Sequence, residues 1–230
     1  MRRALVLALL LVGACKPDDP RTAAELGGRL FADPGLSTSQ FNAFSCATCH
    51  SAEPEQAGPR IAVTLRDAAF RPSWWGGYAP RLLDAVNFCF VFFMRGEPFS
   101  RADLRGRALY EYLVSISPTR PAPAAPLTAV EIVGVLPRGD RARGAKVWDA
   151  VCRGCHGDTH SGDGRLNDLV AIVPEASIEF AQESGYDPDL VVIEKVRHGQ
   201  FFGVGGNMPL FSREALSDAD LGALISYLGL

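Results

Sequence analysis

The sequence is sparing in the residues that most often bind metal ions or form disulfides. Its 230 residues include only four histidines, three methionines and six cysteines. Its apolar run at residues 4–14 is too short to span a membrane as a helix, which takes about 20 residues. No segment alternates apolar and polar residues as a half-buried strand does, so a sheet is not expected. No stripe of lysine and arginine runs along the chain, which argues against nucleic-acid binding.

Four of the six cysteines stand in two copies of one five-residue pattern, Cys-x-x-Cys-His, at residues 46–50 and 152–156. Two thiols at this spacing can add to the two vinyl groups of a porphyrin, and the histidine that follows then ligates the iron. Zinc would need further ligands that the chain lacks, and a redox dithiol would not need the histidine. The motifs therefore predict two covalently bound haem c groups. The predicted attachment residues are Cys46, Cys49, Cys152 and Cys155, and the predicted proximal iron ligands are His50 and His156.

The start of the chain has the order of an export signal. Two arginines precede the apolar run, and Gly-Ala stands immediately before Cys15. This order resembles a bacterial lipobox, in which the cysteine is acylated and becomes the first residue of the mature chain. More than one acyl chain gives stable membrane attachment. The resemblance implies a signal peptide at 1–14, a lipidated Cys15 with a polar tether over 15–22, and a periplasm-facing protein, with the outer membrane favoured because Lys16 follows the cysteine.

Residues 117–137 are rich in proline and alanine and lack helical periodicity, so we predict a semi-rigid linker there. The linker separates a first domain, 23–116, from a second domain, 138–230, and each domain contains one Cys-x-x-Cys-His motif. The two domains have the features of a divergent repeat. The shared patterns are Gly-x-x-x-aromatic at 27–31 and 144–148, and Ser-x-Ala-Asp-Leu at 100–104 and 217–221. This order resembles class I cytochrome c, which implies an all-α fold of two tandem domains, each around one haem.

Met208 is the predicted distal ligand of the second haem. It stands in a Met-Pro pair within a glycine-rich segment before the last predicted helix, which resembles the distal methionine segment of class I cytochromes. Thioether ligation raises the reduction potential relative to a second histidine. The alternative role for Met208 is core packing. His160 and His198 are rival ligands, but both are more simply explained as loop or surface histidines.

Two residues, Cys89 and Met94, are candidates for the distal ligand of the first haem. His50 is the only histidine of this domain, so a second histidine ligand is excluded. Positions five apart point to different faces of a regular helix, so both side chains do not easily reach one iron. The pattern Asn-x-Cys-x4-Met-x-Gly over 87–96 resembles thiosulfate dehydrogenases, in which that cysteine ligates the iron as a thiolate. Cys89 is also the one thiol with no other assigned role, so we prefer Cys89 and keep Met94 as the alternative.

Two further comparisons bear on the activity. Residues 26–37 and 45–50 resemble the start of bacterial dihaem cytochrome c peroxidases. Those enzymes carry a distal histidine loop that this domain lacks, so peroxidase activity is not expected. Thiosulfate dehydrogenases place an arginine where this chain has Ala85. An apolar wall at Phe92 and Phe93 would bind an anionic sulfur compound poorly, because its charge would be buried without a partner.

The leading hypothesis is therefore a lipid-anchored dihaem cytochrome c that transfers electrons between redox partner proteins. Residues 119–230 contain 15 acidic and 10 basic residues, and this imbalance could steer the second domain toward a basic partner. The first alternative is an oxidoreductase that oxidises a small sulfur compound at a Cys89-ligated haem. The second is a fixed c-type subunit of a larger membrane redox complex.

Overall fold

The structure is a computed structural model, and it describes residues 20–200, 206 and 208–230. The predicted signal peptide, Cys15 and most of the tether lie outside the described residues. The described part of the chain is helical, with one isolated bridge between Trp74 and Ala79 and no strand, so the predicted all-α fold is confirmed. None of the helices in that part is long and apolar enough to cross a membrane.

The described residues form nine α-helices and several short helical turns. The α-helices are α1 (Pro20–Ala32), α2 (Cys46–Cys49), α3 (Leu82–Phe92), α4 (Leu104–Ser115), α5 (Arg141–Val147), α6 (Arg153–His156), α7 (Glu175–Ser184), α8 (Pro188–His198) and α9 (Asp218–Leu228). A π-helical turn, Trp148–Cys152, joins α5 to α6. Short 3-10 turns lie at Pro34–Leu36, Ala68–Phe70 and Trp75–Gly77.

The first and last helices of the first half, α1 and α4, cross at Gly27. A Cβ atom at this position would lie 2.0 Å from the carbonyl oxygen of Ala108, so only glycine permits the approach. Phe31, one turn further along α1, packs against Tyr112 of α4 with their ring centroids 5.3 Å apart. Residues four apart share a helix face, so the Gly-x-x-x-aromatic pattern places both contacts on the same side of α1.

The second half repeats this crossing between α5 and α9. A Cβ atom at Gly144 would lie 2.1 Å from the carbonyl oxygen of Ala223. Trp148, four residues later, packs against Tyr227 with ring centroids 6.4 Å apart. The repeated sequence pattern therefore corresponds to a repeated helix crossing, and each crossing supports the haem motif of its own half.

The two Ser-x-Ala-Asp-Leu segments start their helices differently. The Ser217 hydroxyl accepts a hydrogen bond from the amide of Asp220 at 3.1 Å, which caps α9. In the first half the matching segment forms a turn, and α4 begins only after Asp103. The chain before that turn is held by Asn87 of α3, whose side chain bonds both the amide and the carbonyl of Phe99.

The segment predicted as a linker contains no helix, and it is fastened to both halves. The amide of Ala122 donates to the carbonyl of Phe70 at 3.1 Å. The amide of Thr128 donates to the carboxylate of Glu214 at 2.8 Å. These hydrogen bonds satisfy backbone groups of the segment and hold it in place although it has no regular secondary structure.

The two halves also contact each other directly. The amide of Arg60 donates to the carbonyl of Ala215 at 3.0 Å. Ile61, the next residue, packs against the buried apolar core of the second half. The first half thus contributes part of the surroundings of the second haem motif.

Candidate functional site

Each Cys-x-x-Cys-His motif lines an apolar cavity. The first cavity, about 200 Å³, is lined by residues of α1, α2, α3 and α4. The second, about 570 Å³, is lined by residues of the π-helical turn, α6, α8 and α9. The volume of the second cavity lies in the range of about 300–1,000 Å³ that is usual for cofactor sites, and the volume of the first cavity is below that range. In both cavities the two thiols and the histidine of the motif face the same space.

The two motif histidines are oriented alike by backbone carbonyls. Nδ1 of His50 lies 2.8 Å from the carbonyl oxygen of Val63, and Nδ1 of His156 lies 2.9 Å from that of Ala171. A carbonyl only accepts hydrogen bonds, so Nδ1 carries the proton and Nε2 keeps its lone pair. Burial lowers the pKa of both rings and favours this neutral form. Each histidine is therefore prepared to ligate a metal through Nε2.

The motif thiols are held in their neutral form. Burial raises the pKa of Cys46 to about 11 and that of Cys152 to about 12. Burial also raises the pKa of Cys49 to about 12, with further contributions from the thiols of Cys155 and Cys46. A thiolate is the form that binds zinc or attacks a disulfide. Neutral thiols in an apolar cavity are compatible with a covalent thioether link to an apolar macrocycle.

Cys89 and Met94 both line the first cavity. Cys89 lies on α3, and its pKa is raised to about 12, first by burial and then by the nearby thiols of Cys46 and Cys49. Met94 lies beyond the end of α3, where its amide donates to the carbonyl of Cys89 at 3.4 Å. The helix has ended before Met94, so the argument from opposite helix faces does not apply. The structure brings both candidates to one cavity, and the identity of the ligand stays a prediction.

Met208 lines the second cavity and is held there by the end of α8. Its amide donates to the carbonyl of Gly199 at 3.2 Å. Gly199 has a φ of +76°, and a Cβ atom there would lie 2.3 Å from the carbonyl oxygen of Met208. Glycine adopts this backbone conformation without strain. The C-terminal glycine of α8 thus permits the close approach that places Met208 at the cavity.

The two rival histidines have other partners. Nδ1 of His160 lies 2.6 Å from the carboxylate of Glu175 on the surface. Nδ1 of His198 lies 2.8 Å from Glu194, and its Nε2 contacts the carbonyl oxygen of Val130. Neither ring belongs to the described lining of either cavity. Their placement agrees with loop and surface roles.

The two cavities share a wall. Phe44, Ile61, Phe93 and Pro209 line both of them. The pKa of Cys49 is raised in part by the thiol of Cys155, so the two motifs are also within electrostatic reach of each other. Groups bound in the two cavities would therefore lie on opposite faces of a thin layer of apolar side chains.

Among the described residues, every charged residue that lines a cavity is basic. Arg71 lines the first cavity, and it donates to the carbonyls of Thr64 and Arg66. Arg95 and Lys195 line the second cavity. Haem is a flat apolar ring with two carboxylates, so an apolar cavity edged by cations and free of carboxylates has the chemistry to hold it. The residues present fit the predicted cofactor.

Two family comparisons cover most of the described chain. Residues 139–228 match the family described as cytochrome c oxidase, cbb3-type, subunit III. Residues 21–87 match the family described as di-haem cytochrome c peroxidase. Each match includes one Cys-x-x-Cys-His motif and its cavity-lining histidine. The chain is a c-type cytochrome. It is a haem electron-transfer protein with covalently bound haem c, and the predicted resemblance to dihaem c-type cytochromes is confirmed.

One solved structure similar to this cytochrome is the thiosulfate dehydrogenase TsdBA from Marichromatium purpuratum, in its as-isolated form. The TM-score is 0.47 and the sequence identity is 18%, over 92% of this chain and 46% of that chain. This cytochrome thus spans about half the length of that protein. No curated protein sequence matches it.

Sequence reasoning about this cytochrome missed the shared wall. Phe44 and Ile61 stand outside every motif, and nothing in their sequence surroundings distinguishes them from ordinary core residues. Arg95 follows Met94 in the chain, yet its side chain lines the cavity of the other half. Its φ of +57° is uncommon for a residue with a side chain. That backbone conformation cannot be recognised from residue type.

Proposed function

We propose that this cytochrome binds two covalent haem c groups and transfers electrons between redox partner proteins on the periplasmic side of a bacterial membrane. A lipidated Cys15 would anchor it there, with the outer membrane favoured. The observation that carries the proposal is that each Cys-x-x-Cys-His motif lines its own cavity together with a candidate sulfur ligand, while the two cavities share a wall. Haem c supplies one-electron chemistry at its iron.

The residues of each half have matching roles. In the first half Cys46 and Cys49 would form the thioethers, and the carbonyl of Val63 would keep Nε2 of His50 free to ligate the iron. In the second half the corresponding residues are Cys152, Cys155 and His156, with Ala171 as the carbonyl acceptor. Met208 would supply the sulfur ligand of the second half, and Cys89 or Met94 that of the first.

The cations at the cavities would bind the haem carboxylates and compensate their charge. Arg71 serves the first cavity, and Lys195 with Arg95 serves the second. Arginine and lysine bound to carboxylates form charge-assisted hydrogen bonds, which are stronger than neutral ones. A positive charge beside a haem also favours its reduced state, because the oxidised iron carries one more positive charge.

The shared wall suits electron exchange inside the chain. Phe44, Ile61, Phe93 and Pro209 line both cavities, so apolar side chains would lie between the two haems. Charges interact more strongly across such an apolar layer than across water. With a haem bound in each cavity, the shared wall would be the route for an electron between them, and the charge at one haem would affect the reduction potential of the other.

The proposal is tested first by intact mass. Protein matured in a host with haem-attachment machinery should carry two haems, and the Cys46→Ala, Cys49→Ala double variant should carry one. Fewer than two haems on the unaltered protein would overturn the proposal. A Met208→Ala variant should lose the long-wavelength methionine–iron absorption band and its second haem should have a lower midpoint potential. If Met94 ligates the first haem, that haem keeps its own band, so an unchanged band intensity is the result that would mean that Met208 is not the ligand.

A sulfur-compound oxidoreductase is the second candidate, and the position of Cys89 favours it. The Cys89 thiol lies in the first cavity beside the thiols of Cys46 and Cys49. If Cys89 is the distal ligand, low-temperature EPR of the oxidised protein should show a thiolate-type low-spin signal. A thiosulfate assay with an artificial electron acceptor then separates catalysis from transfer. No turnover would remove this candidate and leave the electron-transfer protein.

A third candidate is a fixed subunit of a membrane redox complex. It is favoured by the match of residues 139–228 to a family named for an oxidase subunit. Mild solubilisation of membranes that contain the tagged full chain would test it. Stoichiometric co-purification of other redox subunits would support a fixed subunit, and recovery of the cytochrome alone would support a free carrier.

A further inference from the structure

Arg197 is a buried cation that the proposed electron transfer does not use. It lies in the last turn of α8, and its side chain is 1% exposed. One guanidinium nitrogen donates to the carbonyls of Phe211 and Leu216, at 3.0 and 2.8 Å. The other nitrogen donates to the carboxylate of Asp218 at 2.7 Å. Burying a charge is costly unless it is fully hydrogen-bonded, so these partners explain how Arg197 is tolerated inside the protein.

The acceptors of Arg197 belong to the segment that carries Met208. Phe211 and Leu216 lie between Met208 and α9, and Asp218 is the first residue of α9. One guanidinium therefore joins the end of α8, the segment that follows the predicted distal ligand, and the start of α9. Backbone carbonyls in non-helical segments have few other donors available, so Arg197 supplies bonds that this segment would otherwise take from water.

Two backbone hydrogen bonds complete the attachment of this segment to α8. The amide of Met208 donates to Gly199, and the amide of Phe211 donates to Val196 at 2.9 Å. They fix the beginning of the segment, whereas Arg197 fixes its middle and end. Without Arg197, the hydrogen bonds between the segment and α8 would be limited to those of Met208 and Phe211, although Phe211, Ala215 and Leu216 would still pack in the core that α8 shares.

We propose that Arg197 is the positioning residue of Met208. It holds residues 209–216 against α8, so that the Met208 thioether remains directed into the second cavity. This inference rests on the proposed function, since it takes Met208 as the distal ligand of the second haem. Arg197 itself lies outside the described lining of the second cavity, and it acts through the segment that it binds.

The experiment compares three variants of the haem-loaded full chain. Arg197→Met removes the hydrogen bonds and puts an apolar side chain of similar length in place of the arginine. Arg197→Lys keeps the positive charge with fewer and shorter-reaching donors. Arg213→Met is the matched control, because Arg213 bonds the same Asp218 carboxylate at 3.1 Å, is 53% exposed, and donates to none of the carbonyls bound by Arg197.

Two readouts follow the ligand itself. One is the methionine–iron absorption band of the ferric protein, and the other is the affinity for imidazole, which competes with Met208 for the iron. Arg197→Met should weaken the band and raise the imidazole affinity at least about tenfold, as expected for the loss of a hydrogen bond to a charged group. Arg197→Lys should fall between Arg197→Met and the unaltered protein, and Arg213→Met should behave like the unaltered protein.

The outcomes separate this inference from the proposed function. If the unaltered protein has no methionine–iron band, Met208 is not the ligand and the proposed function loses its second site. If the band is present and Arg197→Met changes neither the band nor the imidazole affinity, the positioning role of Arg197 is wrong. If Arg197→Met does not fold, Arg197→Lys decides, and an unchanged imidazole affinity in that variant overturns the inference.

Discussion

Replacing Gly27 by alanine should break the helix crossing that supports the first cavity. The new Cβ atom would lie 2.0 Å from the carbonyl oxygen of Ala108 and 2.6 Å from the Cβ atom of Tyr112. The nearest neighbour is backbone, so α1 and α4 would have to move apart. Overpacking of this kind costs about 1–3 kcal/mol, and contact with rigid backbone points to the upper end.

The net effect is smaller because alanine is the better helix former. The substitution gains about 1 kcal/mol of helix propensity, which leaves a destabilisation of about 2 kcal/mol. For a domain of about 100 residues this corresponds to a fall in the unfolding midpoint of about 10 °C. Thermal unfolding of the haem-loaded protein, followed by circular dichroism and by the haem absorption of the first site, measures it.

Gly28 on the same helix provides the matched control. A Cβ atom there meets only the ring of Tyr112, at 3.3 Å, and the propensity gain is the same. Gly28→Ala should therefore leave the midpoint nearly unchanged or raise it slightly. The reasoning about the crossing is refuted if Gly27→Ala is as stable as Gly28→Ala.

Three further predictions concern the haem surroundings. Arg95→Gln should lower the midpoint potential of the second haem in a spectroelectrochemical titration, because the second cavity loses a cation. Arg141→Gln, a change of equal charge at an exposed residue of the second half, should not. EPR of Cys89→Ser should show an altered first haem if the cysteine is the ligand, whereas an alteration seen only in Met94→Leu would assign the methionine. Burial lowers the pKa of His198, but the hydrogen bonds of its ring to Glu194 and Val130 outweigh burial and raise the pKa overall. Its contribution to the free energy of unfolding is therefore present below the unfolded pKa of about 6.5 and is lost as the pH rises through the folded pKa. Urea unfolding across that pH range should show this loss, and the His198→Gln variant should not show it.

The candidate ligands Cys89 and Met94 show a limit of prediction from residue spacing. Cys89 and Met94 were expected to face apart because they are five positions apart on a continuous helix. The helix ends at Phe92, and the chain turns so that Met94 reaches the cavity that Cys89 also lines. After the helix end, the chain packs back on α3, with Phe99 against Phe90 at a ring-centroid distance of 4.2 Å and Gly96 close to the Phe90 ring. These contacts involve residues beyond the helix.

The helix crossings were more predictable. The Gly-x-x-x-aromatic pattern acts within one helical turn and needs only a partner helix with small residues, which Ala108 and Ala223 provide. The helix start at residues 100–104 was less predictable than its copy at 217–221. The Ser100 hydroxyl accepts from the amide of Asp103 at 3.2 Å, yet α4 begins only after Asp103. The backbone of Phe99, just before this serine, is bonded to Asn87, twelve positions away.

Residue order was enough to predict thiol-linked haem, the all-α class and the duplicated order of motifs. These predictions used patterns of residues within about five positions of each other, where bond geometry and helix periodicity allow few alternatives. Three features became known only from the folded chain: the two cavities share Phe44, Ile61, Phe93 and Pro209, Arg95 of the first half lines the second cavity, and Arg197 binds the segment after Met208. These contacts join residues far apart in the chain, and the folding of the whole chain, rather than local spacing, brings them together.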